Sequence, residues 1–433
     1  MCYAIPGRVV DVQLGIAVLD YFGEKKKARA DFFTPAIDDY VYAQGGFVIQ
    51  KVSRAEALSS LEAWKELFFE LKKIDDRLSR VQGDGSGVET RIARILNRAQ
   101  SGAAITRDEA LALMEAPDAP TKRLLFETAN AVRQKILGNS CCVHGIIEFS
   151  NCCRCDCLYC GIRRPQEKLA RYRMTPAEII ESVEEAARLG FKALVLQSGE
   201  DEYYTADIFE DIMRTIRKNF GSLVFLSVGE KGNDFYSRMF DAGARGVLVR
   251  FETSNEALYA RMRPGHTLTT RRSLLDFLRK KGFVIATGAL LGLPGQTRND
   301  MIEDIFMAQL SGAEMYSFGP FIPHPDTPLA DSGLIAQDEV LKFIAVARLA
   351  VPDAKILVTT ALETLGRDAR RLGLLSGANS FMLNATPFAY RKMYDIYRNR
   401  AGASKETGEQ VEEALALLKE LGRAPTDLGT TTS

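Results

Sequence analysis

Five of the eight cysteines fall between residues 152 and 160, the other three are Cys2, Cys141 and Cys142, and none follows Cys160. Within the run, Cys153, Cys157 and Cys160 are spaced C-x3-C-x2-C. Three thiolates on one short loop can hold three irons of a 4Fe-4S cluster and leave the fourth iron open. The amino and carboxylate groups of S-adenosylmethionine (SAM) can chelate an open iron. An electron passed through that iron then breaks the sulfonium C–S bond and yields a 5'-deoxyadenosyl radical. A zinc site would instead call for four closed ligands, with a second C-x2-C pair elsewhere, and the chain has no second pair. Cys152 and Cys155 stand out of register and are expected to be small side chains on a tight loop. Cys141 and Cys142 are expected to be buried at the bottom edge of the fold. One cluster is therefore expected.

The elements that must hold this loop are legible downstream. From Gly145, β-branched runs beginning near Gly145, Lys192, Leu223, Gly246, Phe283, Glu314, Lys355 and Ala378 alternate with helical patterns. Eight strand–helix pairs in under 290 residues imply an α/β fold, a (βα)8 TIM barrel. Thr175-Pro176-Ala177-Glu178 carries a capping signal for one helix, and Thr297 to Asp300 a weaker one. Residues 90–135 read as helices preceding the barrel. Residues 1–73 differ: β-rich runs at Arg8–Asp11, Ile16–Tyr21, Lys27–Phe33 and Tyr40–Lys51 precede an amphipathic helix from about Arg54 to Lys73. They predict a small OB-like β-barrel domain with a C-terminal helix. Residues 74–89, with Gly83, Gly85 and Gly87, read as a linker, residues 90–433 as the larger domain, and Thr426–Ser433 as a loose tail.

Active sites of such barrels lie at the C-terminal ends of the strands. The second strand ends in Gln197-Ser198-Gly199-Glu200, where glycine lets backbone approach a ligand and a carboxylate or carbonyl can receive an ammonium group. The fourth ends Arg250-Phe251-Glu252-Thr253, and residues two apart share a strand face. A structural Arg250–Glu252 salt bridge is the alternative to ligand binding there. Of the three histidines, His324 sits between Pro323 and Pro325 and fits either the barrel mouth or a turn. No two form a metal-ligand pair in sequence.

The cysteine spacing, with Tyr159 as the aromatic before the third cysteine, is the radical-SAM signature. The stretches 146–164 (IIEFSNCCRCDCLYCGIRR), 196–201 (LQSGED), 319–329 (GPFIPHPDTPL), 359–362 (TTAL) and 390–397 (YRKMYDIY) resemble the HydE family of FeFe-hydrogenase maturases. The resemblance implies that Gln197 to Glu200 form the "GE" motif that contacts SAM. It also implies that Arg271 binds the SAM carboxylate, that Glu252 binds its ammonium or ribose side, and that Leu291 flanks the adenine. Arg250, Thr359, Thr360, Met382, Tyr394 and Tyr397 would line a pocket for a small polar or anionic substrate; ordinary packing is the alternative, especially for Met382. Some members carry extra cysteines near the C-terminus for an accessory cluster, and this chain has none there.

Met1-Cys2-Tyr3-Ala4-Ile5-Pro6-Gly7, with Asp39–Val41 and Gly46–Ile49, resembles the HypC family of NiFe-hydrogenase maturation chaperones. There the second-residue cysteine helps hold an iron carrying CO and cyanide, which makes Cys2 a candidate metal ligand. Gln44 stands where that family usually has histidine. Together the resemblances imply a radical-SAM enzyme acting on a small thiol-containing or organometallic substrate, a cysteine-bound Fe(CO)(CN) synthon. Other hydrogenase maturases and a ferredoxin or flavodoxin electron donor would be its partners. A biotin-synthase or methylornithine-synthase type of activity on an organic substrate, and a non-catalytic scaffold, are the alternatives.

Composition narrows the partners. Fifty-six Lys+Arg balance fifty-six Asp+Glu, leaving no global field to gather nucleic acid or anionic lipid. The longest nearly apolar run, Phe283–Pro294, is too short to span a bilayer, and the first residues do not read as a secretory signal. A cytoplasmic location is expected.

Overall fold

The computed structural model describes residues 5–426, apart from residues 84 and 117, together with the backbone of residues 430–431. In the N-terminal module, β1 (Gly7–Gln13), β2 (Ile16–Tyr21), β3 (Glu24–Arg29), β4 (Tyr40–Gln44) and β5 (Phe47–Val52) form a sheet in the order β3-β2-β1-β4-β5. A β3–β5 pairing closes that sheet into a barrel. The β-rich run from Tyr40 to Lys51 is a hairpin, because Gly45 and Gly46 (φ 58° and 80°) turn the chain over. The helix after it spans Arg54–Leu78, five residues longer than the sequence suggested, with the Ser53 hydroxyl accepting from Glu56 N–H at its start.

The helices Thr90–Gln100, Arg107–Glu115 and Ala119–Leu137 lead into the large barrel. Its strands are β6 (Cys142–Ser150), β7 (Ala193–Ser198), β8 (Leu223–Ser227), β9 (Gly246–Leu248), β10 (Val284–Thr287), β12 (Met315–Tyr316), β14 (Lys355–Val358) and β15 (Ser380–Asn384). They close in the parallel order β6-β7-β8-β9-β10-β12-β14-β15, so all eight expected strands are present. Two short strands at the rim, β11 (Leu290–Leu291) and β13 (Gly319–Pro320), pair with each other. Both expected capping boxes form, Thr175 with Glu178 and Thr297 with Asp300.

Alternation along the strands separates two cores. Leu194, Leu196, Val224 and Leu226 face outward into the large core with the surrounding helices. Ala193, Val195, Leu223, Phe225, Val284 and Ala286 face inward, and that inner layer is completed by Phe47 and Ile49 of the N-terminal module. The module thus plugs the bottom of the large barrel. Arg245 from the barrel donates to Asp31 (3.0 Å), Arg29 donates to the Gly282 carbonyl (2.9 Å), and Arg217 stacks on Phe32 at 3.6 Å. Asp75, near the end of the module's long helix, is buried between Arg133 and Arg423.

The larger domain, expected from residue 90 onward, thus packs against Phe47, Ile49 and Asp75 of the module. The C-terminal residues are also not all a loose tail, because β16 (Thr430–Thr431) adds antiparallel to Lys26 and Lys27, on the stretch of the β3 edge that β5, which pairs only at Arg29, leaves open. Residues 427–429, 432 and 433 lie outside the described residues.

Candidate active site

The cluster loop leaves β6 at Ser150 and is stitched to the end of β7. Gly199 N–H donates to the Ser150 carbonyl (3.1 Å), Arg154 N–H to the Glu200 carbonyl (3.1 Å), and Glu200 N–H to Cys153 Sγ (3.3 Å). A Cβ on Gly199 would lie 2.2 Å from the Cys152 carbonyl oxygen and 2.7 Å from Cys153 Cβ, so only glycine lets the loop pass. At the loop's far end Gly161 donates to the Ile396 carbonyl (2.9 Å) and is walled in by Asp395 and His324. His324 bonds Asp395 (3.1 Å) and accepts from Asp326 N–H (3.1 Å), so of its two expected places it takes the turn.

Cys153, Cys155, Cys157 and Cys160 all open onto one cavity of about 300 Å³ at the C-terminal ends of the strands. The Cys155 thiol hydrogen-bonds to the sulfurs of Cys153 and Cys157. Those bonds lower the Cys153 thiol and, against the effect of burial and with help from Arg263, bring Cys157 down to about 6. Burial pushes Cys160 up. The donor set fits a 4Fe-4S cluster: Cys153, Cys157 and Cys160, with Cys155 among them, share a cavity with a carboxylate–guanidinium array, and glycine clears the space beside them. The cluster with SAM, when bound, supplies reductive cleavage of the sulfonium bond.

Tyr159, Gln197, Ser198, Gly199, Glu200, Arg250, Glu252, Arg271, Thr359, Thr360, Met382, Tyr394 and Tyr397 all line this same cavity. Leu291 does not. It is fully buried in the large core, and alternation on β11 presents Leu290 to the cavity instead. Cys2 lies outside the described residues. Arg250 and Glu252 converge for a different reason from the one expected: β9 ends at Leu248, and Glu252 takes a left-handed conformation (φ 66°) on the loop beyond. Glu252 N–H donates to the Gly288 carbonyl (3.1 Å), and its carboxylate pairs with Arg250 at 3.2 Å, so the salt bridge weighed from sequence is present at the cavity wall. Thr359 caps the helix Thr360–Leu365 through Leu362 N–H.

Sequence reasoning missed several wall residues. Arg263 and Arg271 both approach Glu200 (3.4 and 3.7 Å), and Arg271 Nε sits 2.8 Å from Glu230. Burial works against the Glu200 charge, but Arg271 and Arg263 hold its carboxyl below the usual range. Arg400, from the loop after Tyr397, also lines the cavity and pairs with the fully buried Glu148 of β6. No local motif marks Arg263, Glu230 or Arg400, because chain segments far apart in sequence bring them together. Behind the wall, Asp304 accepts from Ser254 N–H (2.5 Å) and Gln296 Nε2 (3.1 Å). Gln296 in turn bonds the backbone of Leu290 and Gly292, so Asp304 ties together two loops that frame the cavity. Burial pushes the Asp304 carboxyl up to about 8.

Comparison with known proteins agrees with this geometry. The model of the radical SAM superfamily matches residues 147–308, that of the Biotin and Thiamin Synthesis associated domain residues 317–424, and that of the HupF/HypC family residues 1–64. Among solved structures, methylornithine synthase (PylB) superposes with a TM-score of 0.67 at 23% identity, covering 77% of this chain and 98% of that one. HydG, a maturase of the FeFe-hydrogenase, superposes with a TM-score of 0.67 at 20% identity, covering 83% and 78%. These likenesses show the fold. The barrel with its cysteine loop is that of a radical SAM enzyme. The FeFe hydrogenase maturase subunit HydE of Thermotoga maritima is 40% identical over 301 residues, 70% of this chain and 86% of that protein. The chain belongs to the HydE family, with a HypC-type domain at its N-terminus. The 3-methylornithine synthase of Methanosarcina acetivorans is 27% identical over 64% of this chain and 79% of its own. Among the described residues no helix is long and apolar enough to cross a membrane.

Proposed function

We propose that the chain uses one 4Fe-4S cluster, held by Cys153, Cys157 and Cys160, and SAM to act by radical chemistry on a small cysteine-bound Fe(CO)(CN) species in hydrogenase cofactor assembly. In this reading Gln197–Glu200, Glu252 and Arg271 bind SAM, with Tyr159 beside the cluster. Arg250, Thr359, Thr360, Met382, Tyr394 and Tyr397 hold the substrate, and the HypC-type module carries or docks the iron species through Cys2. A ferredoxin or flavodoxin supplies the electron, other maturases are the partners, and the work is cytoplasmic. Residues 1–73 act as the carrier and residues 90–433 as the catalytic domain.

The observation that carries the reading is the shared cavity. Its upper wall is cysteine and charge, and its deeper wall is hydroxyl, thioether, phenol and guanidinium. Such a lining suits a small, polar, sulfur-containing species more than an extended apolar chain. A radical that abstracts hydrogen from almost any C–H bond needs the target held close and water kept out. The buried Tyr394 and the buried Thr359, whose hydroxyl accepts from Leu362 N–H, suit that task.

The test is to incubate the cluster-loaded full chain with SAM, dithionite and a synthetic iron–carbonyl–cyanide–cysteine complex. The expected result is 5'-deoxyadenosine formation stimulated by the complex, with the complex consumed. Cys2→Ala should lower that consumption while uncoupled SAM cleavage continues. Stimulation by an amino acid and not by the complex would replace this reading with an organic-substrate synthase. Absence of any SAM cleavage would leave a scaffold.

A further inference from the structure

At the opposite end of the barrel from the cluster loop, β6 begins with two soft donors on one strand face. Cys142 and His144 are two residues apart, so both point into the barrel floor, and Cys142 Sγ lies 3.5 Å from His144 Nε2. Gln44, the last residue of β4 in the N-terminal module, reaches across the seam and places its carboxamide nitrogen 3.6 Å from the same sulfur. All three are buried, at 3%, 1% and 0% exposure. The His144 ring is fixed edge-on to Phe225, with centroids 5.4 Å apart. Eight residue steps along β6 at about 3.3 Å each put Cys142 about 26 Å from Ser150, where the cluster loop starts. The group therefore lies outside the cavity described above.

We infer that Cys142, His144 and the Gln44 side chain form a binding site for a divalent first-row transition metal ion at the seam between the module and the barrel. The spacing supports this. Metal–sulfur and metal–nitrogen bonds of about 2.3 and 2.05 Å at a tetrahedral angle give an S···N edge of about 3.6 Å. The observed 3.5 Å matches that edge, so the two donor atoms already stand at the separation one ion would hold them. Turning the Gln44 amide about its last bond exchanges nitrogen for oxygen at nearly the same place and supplies a third donor. A thiolate–imidazole pair selects the borderline-soft ions, ferrous iron, cobalt and zinc, over magnesium or calcium. Binding displaces the Cys142 thiol proton to solvent, with no redox change. Three protein donors fill three of the four positions of a tetrahedral shell. Because one donor comes from the module and two from the barrel, an ion held here would also clamp the two together. The site stands independently of which substrate the upper cavity takes.

The probe is Co2+, titrated into the cluster-loaded full chain and followed by its visible ligand-field bands and by cobalt-edge X-ray absorption. One equivalent is expected, with one sulfur and at least one imidazole in the shell. Cys142→Ala and His144→Gln should each lose the bands while SAM cleavage stays at the wild-type rate, which shows that the barrel remains folded. Cys152→Ala and Cys155→Ala should retain the bands. No one-equivalent band in the wild type, a band that survives Cys142→Ala, or a shell of sulfur alone would each overturn the assignment. None of these failures would touch SAM cleavage, so they cannot be confused with failure of the radical reading.

Discussion

Asp75 is the residue by which the N-terminal module's helix is locked to the barrel. It is 1% exposed, and its carboxylate meets Arg133 through two hydrogen bonds (2.7 and 2.8 Å) and Arg423 Nε at 2.9 Å. Both guanidiniums have other partners. Arg133 also donates to the Gly138 carbonyl, Ser79 and Asn130, and Arg423 to Asn130 and the Leu374 carbonyl. None of those partners carries charge. Asp75→Ala therefore leaves two buried cations without an anion, and breaking a buried pair by removing one partner costs about 3–5 kcal/mol. The gain in helix propensity from Asp to Ala returns about 0.5 kcal/mol, so the net loss should remain at several kcal/mol. Urea unfolding of the full chain, followed by circular dichroism, would read this as a lower midpoint at unchanged slope. A loss below about 1 kcal/mol, the size of an exposed pair, would refute the account of Asp75 as a buried lock.

Four further outcomes follow from the site. Serine at Cys153, Cys157 or Cys160 should abolish the 4Fe-4S spectrum and reductive SAM cleavage, whereas Cys155→Ser should retain the cluster; the reverse pattern would overturn the ligand assignment. Gly199→Ala puts a methyl 2.2 Å from the Cys152 carbonyl oxygen and should displace the loop, so cluster incorporation into this variant should fall to near zero. Arg271→Ala removes a charge-assisted contact worth about 1.5–3 kcal/mol, and equilibrium dialysis should show SAM affinity reduced roughly ten- to a hundred-fold with the cluster spectrum intact. Asp304, raised by burial to about 8, is protonated more readily folded than unfolded, so it contributes less stability as pH rises from its unfolded value toward 8. Asp304→Asn should therefore gain on the wild type in urea midpoint between mildly acidic pH and about pH 8, and a pH-independent difference would contradict the buried-carboxyl account.

The catalytic constellation was legible in the sequence to the extent that it is local. C-x3-C-x2-C lies on one loop, the Gly199-Glu200 turn follows one strand, and eight strand–helix alternations need only period-2 and period-3.6 patterns to be seen. Barrel topology then sends the ends of all the strands to one rim, which is why Gln197 and Arg250 could be read from strand ends, and why Thr359 and Tyr394, implied only by the family resemblance, share their cavity. Tertiary structure alone decided what depends on contacts between distant segments. Glu252 faces the cavity because a left-handed residue turns it there after β9 has ended, and strand alternation has no part in it. Leu290 replaces Leu291 at the wall because a two-residue strand sets the alternation. Arg263, Glu230 and Arg400 carry no motif, since their partners Glu200, Arg271 and Glu148 lie 63, 41 and 252 residues away along the chain. The relation of the two modules was likewise invisible. A Gly-rich stretch at residues 83–87 suggests an independent domain, yet Phe47, Ile49 and Asp75 complete the barrel's floor and flank, because an apolar inner layer and two buried arginines must be covered by whatever part of the chain reaches them.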